Sequence, residues 1–293
     1  MAASRVALLG CGLMGQPMGL RLLQAGFSVV AYNRTVARAS DLAAAGVTVH
    51  SAPAAAVAEA DVLVLMLSDA AAIGAVLDDL PAGALDGRCV IQMATILPAE
   101  SRALAERVRA AGACYVEAPV LGSIPEARDG RLLIMAGADS DADFARAQPV
   151  LAALGETPRH VGPVGQGAAL KLAFNQLIAS LTAAFSLSLG LVRREGVEVD
   201  TFMEILRDSA LYAPTFDKKL DKMLSGDFGT ANFPVKHLLK DVRLTERAVE
   251  DAHLVGPWLP LLADLLDRAR EQGLADADYS AIYTTIAPEN GGQ

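Results

Sequence analysis

A single charged side chain interrupts an apolar segment in the middle of the chain. Lys171 lies in GQGAALKLAFNQL, residues Gly165–Leu177, and Asn175 follows it four places later. Residues four apart share one face of an α-helix, so the ammonium and the carboxamide can reach the same small molecule. A lysine in an apolar helix is costly unless it is paired or its pKa shifts, which makes Lys171 a candidate for proton transfer. The alternative is a lysine that extends to the surface beside an ordinary core helix.

A second candidate for chemistry is a glycine-rich turn near the start of the chain. Gly10, Gly12 and Gly15 form the pattern GxGxxG in GCGLMG, directly after an apolar run that ends at Leu9, with Leu13 and Met14 inside the turn. A strand that leads into such a turn and then into a helix is typical of dinucleotide binding, because the first turn of the helix attracts a pyrophosphate. In this pattern Gly10 permits the tight turn, Gly12 lets the backbone approach the pyrophosphate, and Gly15 lets the helix pack closely. A glycine-rich turn without a ligand is the alternative.

The end of the next apolar run indicates which dinucleotide is bound. Asn33, Arg34 and Thr35 follow SVVAY, at the position that faces the adenosine ribose. Enzymes that use NAD have an aspartate or glutamate there, which accepts a hydrogen bond from the 2′-hydroxyl. Asparagine removes the repulsion toward a 2′-phosphate, and Arg34 can pair with that phosphate or lie along the adenine. The sequence therefore predicts NADP(H) over NAD(H).

Short apolar runs that alternate with amphipathic stretches must position these residues. Continuous rather than alternating apolar runs indicate strands that are buried on both faces of a parallel sheet. The predicted strands are Val6–Leu9, Ser28–Tyr32, Val62–Leu67, Cys89–Gln92, Cys114–Glu117 and Leu132–Ala136. Between them, the amphipathic stretches predict helices, among them Val36–Ala45 and Pro98–Ala110. After a glycine and proline stretch at Pro158–Gly167, helical patterns continue to the end, beginning with a long helix over about Ala168–Arg194. We predict an α/β protein with a Rossmann doubly wound sheet over residues 1–163 and an all-helical domain over 164–293.

Composition excludes several classes of function. The chain has 293 residues, 53% apolar, with 25 Lys and Arg against 34 Asp and Glu, a net charge of −9 that argues against nucleic acid as a partner. Three cysteines without paired spacing, and four scattered histidines, indicate free thiols and no metal site. The N-terminus does not have the pattern of a signal peptide, so we expect a cytoplasmic protein. The uncharged run Leu172–Val192 is long enough to span a membrane, but its polar residues predict a core or interface helix instead.

Five ordered motifs resemble those of a known family over nearly the whole chain. They are GCGLMGQPM, ATILPAES, EAPVLGS with DGRL, GQGAALKLAFNQL and FPVKHLLKDVRL. Together they are similar to the β-hydroxyacid dehydrogenase family, and Asn33-Arg34-Thr35 is similar to its NADPH-using glyoxylate reductase branch. The resemblance implies hydride transfer between a nicotinamide and a small carboxylate-bearing carbonyl compound, and a homodimer or homotetramer.

The resemblance also implies roles for individual residues. Lys171 matches the family's catalytic lysine, and Asn175 matches the amide that holds the substrate. Thr95 matches a threonine near the nicotinamide. Lys240 and Asp241 match a pair whose lysine closes over the cofactor and the active site, and a solvated helix face is the alternative for both.

Met66 and the triplet Leu121–Ser123 match the family's motifs less closely. Met66 is expected to end the fourth strand near the cofactor, although it is equally suited to the core. Where the family commonly has Ser-Gly-Gly to receive the substrate carboxylate, this chain has Leu121, Gly122 and Ser123. Gly122 and Ser123 are retained as substrate residues. Leu121 removes a hydroxyl and favours a more apolar substrate, unless it points into the core.

Three functions remain open at this point. The first is an NADPH-dependent reductase of small carbonyl acids, of the glyoxylate or succinic semialdehyde type, with Lys171 as general acid and base. The second keeps the fold and cofactor but reduces a bulkier apolar carbonyl compound or an imine. The third is a non-catalytic NADP-binding interaction module, against which Lys171 and Asn175 argue.

Overall fold

The computed structural model describes residues 5–288. The chain divides into two compact units, Met1–Lys171 and Leu172–Gln293.

A nine-stranded sheet organises the first unit. Its strands are β1 Arg5–Leu9, β2 Ser28–Tyr32, β3 Thr48–His50, β4 Val62–Leu65, β5 Cys89–Gln92, β6 Cys114–Glu117, β7 Val120–Leu121, β8 Leu133–Gly137 and β9 Arg159–Gly162. The order is β3-β2-β1-β4-β5-β6-β8-β7, with β9 also paired to β8. The strands from β3 to β6 are parallel, whereas β8 is antiparallel to both β6 and β7. The predicted fold class, a Rossmann sheet followed by a helical domain, is confirmed.

Helices cover both faces of this sheet because alternate residues of each central strand point to opposite sides. Leu8 of β1 belongs to one buried cluster and Leu9 to another. The first cluster includes Met18 and Leu22 of α1, and the second includes Leu104 of α5. Burial on both faces explains why the strands are apolar throughout. The helices of this unit are α1 Gly15–Gln24, α2 Ser40–Ala44, α3 Pro53–Ala58, α4 Ala70–Asp78, α5 Pro98–Ala110, α6 Ile124–Asp129 and α7 Asp141–Leu154.

The second unit is helical. Its helices are α8 Gln166–Arg194, which begins before the boundary between the units, α9 Val199–Asp208, α10 Thr215–Ser225, α11 Val235–Asp251, α12 Trp258–Ala269 and α13 Tyr283–Ile286. Its buried side chains form two clusters, one around α11 and α12 and one around α9 and α10. The one strand-like feature among the described residues of this unit is an isolated bridge between Pro234 and Asp278.

Several local expectations are wrong in detail. The stretch Pro158–Gly167, expected to be irregular, contains β9, whose mixed and half-exposed residues have no strand periodicity. β3 and β7 were not predicted, because three and two residues are too few to show a period. The helix expected over Val36–Ala45 is a 3₁₀ turn at Val36–Ala39 followed by α2.

The long helix α8 meets the length and composition criteria for a membrane span, and 39% of its most apolar window is buried. A core helix of a soluble protein meets the same criteria. Asn175 and Ser186 of this helix are fully buried, whereas Leu177, Leu187 and Leu191 are exposed.

Candidate functional site

The carboxyl ends of four parallel strands form one aligned edge of the sheet. Leu9 of β1 pairs with Leu65 of β4, Leu65 with Gln92 of β5, and Gln92 with Glu117 of β6. The backbone continues this ladder for one more residue, since the N–H of Ala118 donates to the carbonyl of Gln92 at 2.6 Å. Open α/β sheets bind their ligands at this edge. The segments that follow β1, β4, β5 and β6, which contain candidate site residues, therefore all begin at this edge of the sheet.

The glycine turn after β1 is shaped by two close backbone approaches. Gly10 has a φ of 106°, and a Cβ atom there would lie 2.3 Å from the carbonyl oxygen of Met66. A Cβ atom on Gly15 would lie 2.0 Å from the carbonyl oxygen of Gly10. Side chains at these two positions are thus excluded by the fold itself. The predicted role of Gly15 in tight packing at the start of the helix agrees with this geometry.

Gly12 differs from its two neighbours in the motif. A Cβ atom there would meet no atom of residues 5–288 within 4 Å, so packing among these residues does not require glycine. In the described part of the chain, no side chain caps the first turn of α1, where Met14 is the N-cap residue, and Leu13 is 45% exposed. Backbone N–H groups at an uncapped helix start favour an anion. The turn therefore fits a dinucleotide pyrophosphate, and Gly12 is the position at which a side chain would obstruct it.

Of the three residues after β2, Asn33 is hydrogen-bonded to the glycine turn, whereas Arg34 and Thr35 are exposed. The Asn33 side chain accepts a hydrogen bond from the Cys11 N–H at 3.1 Å and donates one to the Thr35 carbonyl at 2.7 Å. Asn33 thus joins the tip of β2 to the glycine turn. The Cys11 thiol is buried, and burial raises its pKa to about 11, so it is not a nucleophile at neutral pH.

Met66 and Thr95 follow β4 and β5 at the same edge. Both are half-buried. The carbonyl of Met66 lies against Gly10, so its backbone contributes to the shape of the turn. The Gln92 side chain donates to the carbonyl of Ala94 at 3.0 Å and fixes the backbone just before Thr95.

Lys171 lies on α8 and is 9% exposed. The helix that carries it is anchored to the strand edge by Glu117. One carboxylate oxygen of Glu117 accepts hydrogen bonds from the N–H groups of Gly165 at 2.7 Å, Gly167 at 2.7 Å and Ala168 at 3.3 Å. Lys171 is one turn after Gly167. The helix start, and with it Lys171, is therefore fixed at the edge from which the glycine turn also leaves the sheet.

Glu117 is held from its other side as well. The Ser101 hydroxyl donates to the second carboxylate oxygen at 2.5 Å and lies 2.9 Å from the Tyr115 hydroxyl. Burial raises the pKa of Glu117, and the hydrogen bonds from Ser101 and the helix N–H groups oppose that shift. A Cβ atom on Gly137 would lie 2.4 Å from this carboxylate, so the neighbouring strand also makes room for it. The role of Glu117 was not predicted from the sequence, although an acidic residue at the end of a buried strand is a usable signal.

Comparisons with known proteins agree with this arrangement. Residues 5–162 match the NAD-binding domain of 6-phosphogluconate dehydrogenase, and residues 165–286 match the NAD-binding domain of NADP-dependent 3-hydroxyisobutyrate dehydrogenase. The chain is 34% identical to glyoxylate/succinic semialdehyde reductase 1 of Arabidopsis thaliana, over 96% of this chain and 98% of that protein.

A second plant relative and a solved structure extend the similarity. The chloroplastic glyoxylate/succinic semialdehyde reductase 2 of the same plant is 31% identical, over 96% of this chain and 79% of that protein. The Mycobacterium tuberculosis 3-hydroxyisobutyrate dehydrogenase, solved with L-serine, has a TM-score of 0.85 at 26% identity and covers 97% of this chain and 99% of its own.

The chain belongs to the β-hydroxyacid dehydrogenase family. As a member of that family it is an NAD(P)-dependent dehydrogenase that binds a nicotinamide cofactor. The glycine turn, the tip of β2 and the residues after β4 and β5 are the positions that would hold this cofactor.

In the helical unit, this β-hydroxyacid dehydrogenase has a buried amide and carboxylate pair. The side-chain N–H of Asn175 donates to Asp241 at 2.6 Å, and the Lys240 ammonium lies 3.0 Å from the other oxygen of that carboxylate. Asn175 is fully buried, and its side-chain oxygen has no hydrogen-bond partner among residues 5–288. Asp241 therefore orients the amide so that an acceptor remains for another group.

The loop where the family commonly has Ser-Gly-Gly is arranged differently in this chain. Leu121 and Ser123 are half-buried, whereas Gly122 is exposed with a φ of 137°. The Ser123 N–H and hydroxyl both donate to Glu126, at 2.8 and 2.6 Å. The Ser123 hydroxyl, expected to receive a substrate, is already engaged as a donor. The spacing Ser123-x-x-Glu126 before a short helix is a capping-box signal that the sequence carried.

Proposed function

We propose that this protein is an NADPH-dependent reductase that interconverts a small carbonyl compound and its alcohol, with Lys171 as general acid and base. The observation that supports this most is Lys171 itself, 9% exposed, on a helix whose first turn is bound by Glu117 at the carboxyl edge of the sheet. An ammonium at that edge is suited to act on a substrate beside a bound dinucleotide.

The preference for NADPH rests on the tip of β2. Asn33 has no charge to repel a 2′-phosphate, and its side chain is engaged with the backbone of Cys11 and Thr35. Arg34 is exposed and bears the guanidinium that would pair with the phosphate. An NAD enzyme would have a carboxylate at this point.

In the proposed reaction, the nicotinamide supplies the hydride when it is bound. Lys171 donates a proton to the carbonyl oxygen as that oxygen becomes an alkoxide, and in the reverse direction it accepts the hydroxyl proton. Asn175 holds the substrate through its side-chain oxygen, which accepts a hydrogen bond while Asp241 fixes the amide nitrogen. Glu117 keeps the start of α8 in place throughout.

Carboxylate-bearing carbonyl compounds are the first substrates to test. Glyoxylate and succinic semialdehyde are the substrates given in the names of the two plant relatives. A second candidate is the same reduction of an apolar carbonyl compound or an imine. Leu121 favours it, because it places an apolar side chain where a hydroxyl would assist an anion.

The test is a screen for NADPH oxidation over carbonyl acids, apolar ketones and cyclic imines, with Lys171→Ala as the control. We expect at least one carbonyl compound to be reduced by the wild type and not by the variant. Binding of NADPH without consumption across the whole panel would contradict the proposal and would favour a non-catalytic dinucleotide-binding module.

A further inference from the structure

Two of the three cysteines lie side by side in the sheet of the first unit. Cys89 is the first residue of β5 and Cys114 is the first residue of β6, and the two are paired directly in the parallel register of these strands. Both belong to the same buried cluster, so their side chains point to the same face of the sheet. The spacing of the cysteines in the sequence does not reveal this pair, because α5 lies between them along the chain.

The separation of the two strands fits a disulfide bond. Neighbouring strands lie about 4.7–4.9 Å apart, and disulfide bonds join Cα atoms that are about 4.4–6.8 Å apart. The two side chains already interact, since a hydrogen bond between the thiols lowers the pKa of Cys114 and raises the pKa of Cys89. Both cysteines are free thiols in this structure. A bond between their sulfur atoms therefore requires an oxidant but no change in strand register.

The two thiols differ in how an oxidant reaches them. Cys114 is 9% exposed, whereas Cys89 is 1% exposed. Arg146 on α7 donates to the carbonyl of Gly87 at 2.7 Å, and its positive charge acts to lower the pKa of both thiols. The carboxylate of Asp143, on the same helix, acts in the opposite direction. Cys114 is therefore the thiol that a small oxidant meets first and the one that ionises first.

Metal binding is the other chemistry that two adjacent thiols could serve. Zinc takes four protein ligands in structural sites and three in catalytic sites. Among residues 5–288, no group of three or more His, Cys, Asp and Glu side chains is placed to hold a metal ion. The pair of thiols is thus suited to oxidation rather than to metal binding.

We infer that Cys89 and Cys114 form a reversible redox modification site, at which a hydroperoxide converts the two thiols to a disulfide bond between β5 and β6. The Cys114 thiolate attacks one oxygen of the hydroperoxide, the O–O bond breaks, and Cys114 becomes a sulfenic acid. The other oxygen of the hydroperoxide takes up the proton that Cys114 lost and leaves as water or an alcohol.

The second step joins the two sulfur atoms. The Cys89 sulfur attacks the sulfur of the Cys114 sulfenic acid, the S–O bond breaks, and the hydroxyl group leaves with the Cys89 proton as water. The two thiols together lose two electrons and two protons, and the hydroperoxide gains the same two electrons. Cys89 can react from the interior because its partner is the adjacent Cys114 sulfur and not a molecule from solution.

The test counts thiols in the full-length protein. The folded, reduced protein is treated with hydrogen peroxide, catalase removes the excess, and the protein is unfolded with iodoacetamide and weighed by mass spectrometry. All three cysteines are alkylated in the reduced protein, and we expect only Cys11 to be alkylated after oxidation. Trypsin should then release one disulfide-linked pair of peptides, residues 89–102 and 110–128, which dithiothreitol separates.

Two matched variants distinguish the roles of the two thiols. Cys89→Ser should stop at the Cys114 sulfenic acid, which dimedone traps. Cys114→Ser should keep both of its remaining thiols, because Cys89 and Cys11 are buried. The wild-type thiol count decides the matter even if a variant does not fold.

Three alkylated cysteines in the wild type, after a peroxide exposure that fully oxidises free glutathione in the same solution, would overturn the inference. A disulfide bond that includes Cys11 or that joins two chains would also overturn it, as would oxidation of Cys89 in Cys114→Ser at the wild-type rate. None of these outcomes depends on reduction of a carbonyl compound, so the redox site and the proposed function stand or fall separately.

Discussion

Removing the Glu117 carboxylate should destabilise the first unit strongly, because three good donors depend on it. The Gly165 and Gly167 N–H groups and the Ser101 hydroxyl all donate to it within 2.7 Å. Glu117 is 1% exposed, so water cannot replace it without a rearrangement. In Glu117→Ala, the Gly165 and Gly167 N–H groups would lose this acceptor while buried, and the Ser101 hydroxyl would keep only the Tyr115 hydroxyl, 2.9 Å away.

The size of the effect follows from those contacts. Each unsatisfied buried donor costs about 1–3 kcal/mol, and part of the sum is offset because a carboxylate no longer has to be desolvated. We expect Glu117→Ala to lower the free energy of unfolding by about 3–5 kcal/mol. In Glu117→Gln, the carbonyl oxygen can still accept from Gly165 and Gly167, and the Ser101 hydroxyl can reverse its direction. The expected loss for that variant is about 1–2 kcal/mol.

Urea unfolding followed by far-ultraviolet circular dichroism measures both free energies. An m-value equal to that of the wild type would show that each variant exposes the same surface on unfolding.

The pH dependence of the free energy of unfolding gives a second measurement. The pKa of Glu117 is raised in the folded protein, so the folded state binds its proton more tightly than the unfolded state between the two pKa values. Wild-type stability should therefore fall relative to Glu117→Gln as the pH rises through that interval. Equal losses of unfolding free energy in Glu117→Ala and Glu117→Gln, or almost no loss in Glu117→Ala, would contradict this prediction.

The remaining predictions concern cofactor and assembly. Arg34→Ala should reduce kcat/KM for NADPH about tenfold or more relative to NADH, and a wild type that prefers NADH would contradict the assignment. The Cβ atom of Gly12→Ala would meet no atom of residues 5–288, so the Tm of this variant should stay close to that of the wild type, while its Kd for NADPH rises at least about tenfold. In the control Gly74→Ala, inside α4, the added Cβ atom also meets no described atom, so the Kd for NADPH should be unchanged and the Tm should rise slightly, because alanine favours a helix over glycine. Equal affinities of Gly12→Ala and the wild type would exclude the glycine turn as the pyrophosphate site. Apolar residues exposed on α8, such as Leu187, predict self-association, and light scattering that shows only the 30.5 kDa monomer at micromolar concentration would exclude it.

The sequence predicts the framework well because its signals are strong. The central strands are buried on both faces, and the resulting apolar runs place β2, β5 and β6 at their observed bounds. The glycine motif predicted both the close packing of Gly15 and the turn at Gly10. α5 begins and ends where the pattern from Pro98 to Ala110 indicates.

Contacts between distant segments are the part that local patterns do not encode. The engagement of Glu117 with Gly165 and Gly167 joins residues about 50 positions apart, which no local period reports. The pair of Asn175 and Asp241 is separated by 66 positions. Ser123 is a different case. Its capping-box partner Glu126 is only three residues away, and the motif resemblance drew attention to the serine rather than to the carboxylate that engages it.

The most direct test of the central claim is kcat for Lys171→Ala, measured on the best substrate of the screen alongside the Kd for NADPH. If Lys171 is the proton donor, kcat falls by at least about 100-fold while the Kd for NADPH is unchanged, because the lysine acts on the substrate and not on dinucleotide binding. A variant that binds NADPH normally and retains nearly all of its kcat would contradict the account.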